Sequence, residues 1–210
     1  MNKISFWFRN ARPISLPQSM LPALTAVALS AGTGNFSWIA AVVCVIGVMF
    51  AHLGMNLLDD WFDYYKGSGE ARKKAANEGF RGRMTKYPYL TSGEATPKQL
   101  LVAVCVFLGI AALMGCVVLA IRGSMILWWM LAGFIIGFSY SGGPLKLGFR
   151  GLGELVIFVM FGPLMMTGVY YAITGEVTPK IAWLSASVGL LVTNIVYTHS
   201  VLDAVPDQKM

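Results

Sequence analysis

Long apolar runs, each about twenty residues and nearly free of charge, alternate with short polar stretches along this chain. A helix that crosses a bilayer needs about 20 mostly apolar residues. Six segments meet that requirement: Ile14–Ala31, Phe36–Leu58, Gln99–Ile121, Ser124–Tyr140, Leu152–Ile173 and Ile181–Leu202. The pattern predicts an all-α, polytopic transmembrane helix bundle with six spans. Lys3, Arg9 and Arg12 ahead of an apolar run that ends in small residues at Ala28–Ala31 also match the outline of a signal peptide. Pro13, Pro17 and Pro22 oppose that reading, and five later spans hold the chain in the membrane either way.

Composition strengthens this picture. The 210 residues are 56% hydrophobic and 12% charged, against about 25% charged in soluble domains. That excludes an ordinary soluble protein, and disordered or low-complexity classes with it. The net charge of +6 would fit nucleic acid if the basic residues shared a face, yet they fall between the apolar runs. Fourteen of the 16 lie at the N-terminus, in the second-to-third and fourth-to-fifth connections and in the tail, leaving only Arg122 and Lys180 on the opposite side. Basic residues accumulate on the cytoplasmic side of membrane proteins. The expected partner is therefore a lipid bilayer and no nucleic acid, with both ends of the chain cytoplasmic in a bacterial plasma or inner membrane. Cys44, Cys105 and Cys116 all fall in apolar runs and number three, so they read as reduced packing residues.

The external turns are short, whereas the connection over residues 59–98 runs to about forty residues, a length usually tied to function or disorder. It carries Lys66, Arg72, Lys73, Lys74, Arg81, Arg83, Lys86 and Lys98, and its Gly- and Ala-rich stretch at 66–83 could form a short surface helix. No separate soluble domain is expected, and residues 1–210 read as one transmembrane domain.

All five aspartates lie in two clusters, Asp59, Asp60 and Asp63, then Asp203 and Asp207, each at the cytoplasmic end of an apolar helix. At about 100° per residue, Asn56, Asp60 and Asp63 share a narrow face with Asp59 on its edge. Carboxylates at a helix C-terminus oppose the macrodipole and repel one another, so a cation is expected between them. His52 and His199 each sit one turn before a cluster, which opens a zinc or proton-relay reading, but two histidines without a cysteine partner match zinc poorly. Oxygen donors facing a basic loop suit Mg²⁺ held through carboxylates and substrate phosphates. The chemistry thus points to a membrane enzyme, or binder, for a lipid diphosphate. A cation-coupled transporter would place its acids nearer the bilayer midplane.

The run NLLDDWFDYYKG at Asn56–Gly67 resembles the first aspartate-rich motif of the UbiA superfamily of intramembrane prenyltransferases, and DAVPD at Asp203–Asp207 resembles the second. FSYSGGPLKLGFRGLGEL at Phe138–Leu155, FGP at Phe161–Pro163 and VYY at Val169–Tyr171 are similar to the 1,4-dihydroxy-2-naphthoate polyprenyltransferases (MenA type) of menaquinone synthesis. The likeness begins at ARP, Ala11–Pro13, and covers nearly the whole chain. Two features depart from it. The family has about nine helices, so a chain of six spans is expected to be C-terminally truncated, and Leu202 stands where a basic residue often precedes the second motif.

The resemblance implies Mg²⁺-dependent transfer of a polyprenyl group from a prenyl diphosphate to an aromatic quinone precursor. Asp60 and Asp63 would hold one Mg²⁺ and Asp203 and Asp207 another, with Asn56 a ligand or orienting partner. Tyr140 would face the allylic cation beside Ser141, and Arg12, Lys146, Arg72 and Arg81 would meet the diphosphate. Other acceptors such as 4-hydroxybenzoate, and a non-catalytic membrane protein, are the alternatives.

Overall fold

The computed structural model describes residues 2–65, 87–142 and 145–207, with the side chains of 141, 149 and 199–207 not described. The expected surface helix at 66–83, together with Arg72, Lys73, Lys74, Arg81 and Arg83, lies outside the described residues. All regular structure among the described residues is helical. A short helix α1 (Lys3–Asn10) precedes α2 (Pro17–Ser30), α3 (Trp38–Tyr65), the short α4 (Pro88–Thr91), α5 (Pro97–Arg122), α6 (Ile126–Ser141), α7 (Gly153–Thr174) and α8 (Pro179–Asp207).

Each of the six expected spans contains a helix, with altered boundaries. Among the described residues, four helices are long and apolar enough to cross a membrane: α3, α5, α7 and the Pro179–Thr198 part of α8. The first expected span is cut to a helix of 14 residues because Pro13 opens a 3-10 turn at Pro13–Ser15 and Pro17 then takes the first helical position, where its missing N–H costs nothing. Apolar composition marks where a helix can lie, and the prolines decide where it starts. The fourth, α6, has 16 residues. In the other direction, α3 outruns its expected end, carrying Asp59, Asp60 and Asp63 inside its last two turns.

The longest helix pair is α3 against α5, where Gly54 lets Leu108 approach: a Cβ at 54 would stand 2.7 Å from Leu108 Cδ2. Near the acid end of α3, Leu53, Leu57, Leu58, Leu100, Val104 and Phe107 make one buried cluster. A second cluster joins α2, α3, α7 and α8 through Ala23, Ala26, Ala40, Met166, Ile173 and Ile181. At the far end, Arg122 donates to the carbonyls of Ala172 and Ile173, a cation on the open C-terminal carbonyls of α7. Cys44, Cys105 and Cys116 are free thiols in these helices; Cys44 is half-buried, whereas Cys105 and Cys116 are exposed on α5 and do not pack in the bundle as expected.

Midway, α7 loosens into a π turn at Met160–Leu164 around Pro163, and there α8 crosses it at Gly162 and Gly189. A Cβ at Gly162 would stand 2.5 Å from the Ser185 carbonyl and 2.7 Å from the Gly189 Cα, both backbone atoms that cannot swing aside. Small residues at a crossing let membrane helices approach this closely. Gly162→Ala is expected to lower stability by about 1–3 kcal/mol, read as an earlier midpoint in a denaturing-detergent titration.

Candidate active site

The end of α3 carries three carboxylates that its own helix does not stabilise. Asp63 is fully buried and Asp60 is 3% exposed, so neighbours must offset both desolvation and the unfavourable dipole. Arg12 does part of this. Its Nη2 lies 3.1 Å from Asp60 Oδ1 and 3.3 Å from Asp59 Oδ2, and donates to the Asn56 carbonyl at 2.7 Å. Burial works against the Arg12 charge, but Asp60 and Asp59 outweigh it and hold the guanidinium above its ordinary pKa.

The aim of Arg12 comes from a strained turn. Its backbone is left-handed, φ 60° and ψ 58°, a region that costs a non-glycine residue about 1–2 kcal/mol. Cross-links from α3 hold it there. Asn56 Nδ2 donates to the Ala11 carbonyl at 3.0 Å and to Ser15 Oγ at 2.9 Å. Ser15 Oγ in turn donates to the Arg12 carbonyl at 2.8 Å and lies 2.9 Å from His52 Nε2. Asn56 and His52, one turn apart, therefore brace the segment that delivers Arg12.

On the other side, Tyr89 Oη donates to Asp60 Oδ2 at 2.9 Å, and Tyr87 Oη donates to the Asp63 carbonyl at 3.1 Å. A left-handed backbone at Tyr87, φ 47°, turns the chain so that both phenols meet α3. Phe6 and Trp7 of α1 pack edge-on against the Tyr89 ring, at 6.1 and 5.8 Å between centroids. Burial first, and then the charge of Asp60, push the Tyr89 phenol far above its ordinary pKa, so it stays a donor. Tyr89→Phe keeps the ring and removes only the donor to a buried carboxylate, with an expected cost of about 1.5–3 kcal/mol in thermal unfolding.

Tyr140, at the end of α6, is half-buried against Gly148 and lies within electrostatic reach of Asp59, Glu154 and Asp63. The ends of α3 and α6 meet where Phe62 packs on Phe138 and where any Cβ at Gly142 would strike the Phe62 ring at 2.2 Å. Lys146 is exposed on a left-handed backbone, φ 45°, at the start of the 3-10 turn Leu147–Arg150. Arg12 thus meets Asn56, Asp59 and Asp60, Asp63 follows one turn further along α3, and Tyr140 stands within electrostatic reach of Asp59 and Asp63. Asp203, Asp207 and His199 lie on α8 and Ser141 on α6, but their side chains lie outside the described residues.

Among the described residues, no three of His, Cys, Asp and Glu form a metal cage. The donors at the end of α3 are nevertheless all hard oxygens, which fits Mg²⁺ and not a nitrogen- or sulfur-seeking metal. The sequence pattern described as the UbiA prenyltransferase family matches residues 19–210. This chain belongs to that family. A 1,4-dihydroxy-2-naphthoate octaprenyltransferase of Mycobacterium tuberculosis is 28% identical over 81% of this chain and 55% of its own length. One of the same description from Bacillus subtilis is 23% identical over 94% of this chain and 60% of its own. This UbiA-family chain therefore spans little more than half the length of these curated relatives. A UbiA homologue of Archaeoglobus fulgidus, bound to DMAPP and Mg²⁺, superposes with a TM-score of 0.69 over 97% of this chain and 65% of its own at 19% identity, which establishes a common fold.

Sequence reasoning singled out the acids at the end of α3 and missed Tyr87, Tyr89 and Ser15, which bond to α3 or to the Arg12 turn. Nothing in the spacing of those three relative to α3 marks them, since each reaches it across a turn.

Proposed function

We propose that this protein takes part in Mg²⁺-dependent transfer of a polyprenyl group from a prenyl diphosphate to 1,4-dihydroxy-2-naphthoate. The observation that carries the reading is the buried, oxygen-only cluster at the end of an apolar span, with an arginine already on it. The names of the relatives and the DMAPP and Mg²⁺ bound to the Archaeoglobus homologue support it. Asp60, Asp63 and Asn56 Oδ1 would hold one Mg²⁺, and Asp203 and Asp207 a second. When bound, the metal supplies positive charge that stabilises the departing diphosphate.

This chain's own residues do the rest. Arg12, Lys146 and the loop residues Arg72 and Arg81 bind diphosphate oxygens through charge-assisted hydrogen bonds, with Ser141 beside them. Tyr140 turns a ring face to the allylic carbons, where a cation–π contact is worth about 2 kcal/mol when desolvated. The allylic C–O bond breaks, diphosphate departs with the bonding electrons, and an electron-rich acceptor carbon forms the new C–C bond and then releases the substituent it carried, a proton or a carboxylate lost as CO2, which restores the aromatic ring. The acid ends of α3 and α8 face the cytoplasm in this reading, which the distribution of basic residues supports.

Mass spectrometry of products formed by membranes containing the protein, offered a prenyl diphosphate with either 1,4-dihydroxy-2-naphthoate or 4-hydroxybenzoate, tests the assignment. Prenylated naphthoquinol is expected only from the first acceptor. Product from 4-hydroxybenzoate alone would overturn the choice of acceptor.

A further inference from the structure

Among the described residues, the ion pairs of Arg12 converge on a single nitrogen, Nη2, which meets Asp60 at 3.1 Å and Asp59 at 3.3 Å. Nε is buried without a hydrogen-bond partner among the described residues. The strong pairing of arginine with carboxylate is a fork in which two nitrogens meet two oxygens. Here the guanidinium holds the acids through one corner and keeps donors unspent. Tyr89 secures the opposite oxygen of Asp60 independently of Arg12, at 2.9 Å. The turn from Ala11 to Ser15 is pinned by Asn56, so the backbone of Arg12 stays in place if its side chain swings.

Resting on the metal reading above, we infer that Arg12 is an exchangeable counter-ion: it neutralises Asp59 and Asp60 while no metal is bound, and moves to a diphosphate oxygen when the metal takes the carboxylates. A buried carboxylate without a cation is costly, and Arg12 lowers that cost for Asp59 and Asp60. A divalent cation arriving alone must displace the guanidinium and leave it stranded. One arriving with diphosphate gives the guanidinium a new partner. Arg12 therefore couples the two ligands, so each raises the affinity of the other by the same factor. It acts as a positioning residue before the metal binds and as a contact to diphosphate afterwards.

The test is Mn²⁺ binding followed by electron paramagnetic resonance on the purified full chain, alone and with the unreactive geranyl S-thiolodiphosphate. Arg12→Gln is expected to bind Mn²⁺ alone about tenfold more tightly than wild type, and the analogue with Mn²⁺ about tenfold more weakly, within the usual range of coupling. These opposite signs are the signature of exchange. Weaker binding of both ligands would mean a purely structural role, and unchanged Mn²⁺ affinity with weaker analogue binding a plain diphosphate contact; either overturns the inference. Arg12→Lys keeps the charge and is expected to bind Mn²⁺ alone within about threefold of wild type; if it binds as tightly as the Gln variant, charge competition is not the cause. Asp60→Asn is the separate control. If it leaves wild-type Mn²⁺ affinity intact, the metal reading fails, whatever Arg12 does.

Discussion

Asp60→Asn is expected to reduce prenyl transfer by about a thousandfold or more while α3 still inserts in the membrane. A loss of that size corresponds to about 4 kcal/mol of transition-state stabilisation. In the proposed function Asp60 is a carboxylate for the metal, and in the structure it is the partner of Arg12 through Oδ1 and of Tyr89 through Oδ2. The asparagine fills the same space, but it carries no charge, and one of its two positions becomes a donor facing another donor. Arg12 keeps Asp59, so the accompanying loss of stability should stay at or below about 3 kcal/mol, the lower end for breaking a buried pair. The apolar length of α3 is untouched. Transfer assays beside a protease-protection test of insertion separate the two effects. Turnover near wild type would remove Asp60 from the reaction.

Asp203→Asn is expected to be as damaging to transfer and nearly neutral for folding. Helix α8 runs unbroken from Pro179 to Asp207, so Asp203 and Asp207 stand one turn apart on a continuous helix. Like charges so spaced on the last turns of a helix destabilise it, and removing one should raise the stability of α8 slightly. The combination of lost transfer with unchanged or higher thermal stability separates a ligand from a structural acid. A variant that transfers normally would leave the first acid cluster to act alone.

How far the sequence could be read depended on what carries a period. Apolar runs fixed the helices that cross the membrane, and the spacing of Asn56, Asp60 and Asp63 placed them on one face, as they stand. Charge asymmetry and motif together brought Arg12 into consideration as a basic group near the acids. What it touches was not legible, because a left-handed residue at a proline-flanked turn has no periodic signal, and the guanidinium reaches Asp59 across 47 positions. Tyr89 was missed for a similar reason: its phenol meets Asp60 from 29 positions away, from within the forty-residue connection, where spacing does not single out a tyrosine. Helix α1 was missed because its eight residues are too few to register against the longer apolar runs. The π turn of α7 and the Gly162–Gly189 crossing depend on a neighbouring helix that local sequence does not see.

The most direct test of the central claim, that the acid end of α3 is a divalent-cation site for a prenyl diphosphate, is equilibrium binding of geranyl S-thiolodiphosphate to the purified chain with Mg²⁺ and with EDTA. Binding that requires Mg²⁺ in the wild type, and that Asp60→Asn loses, is the predicted result. Binding of equal strength in EDTA, or unaltered by Asp60→Asn, would contradict it.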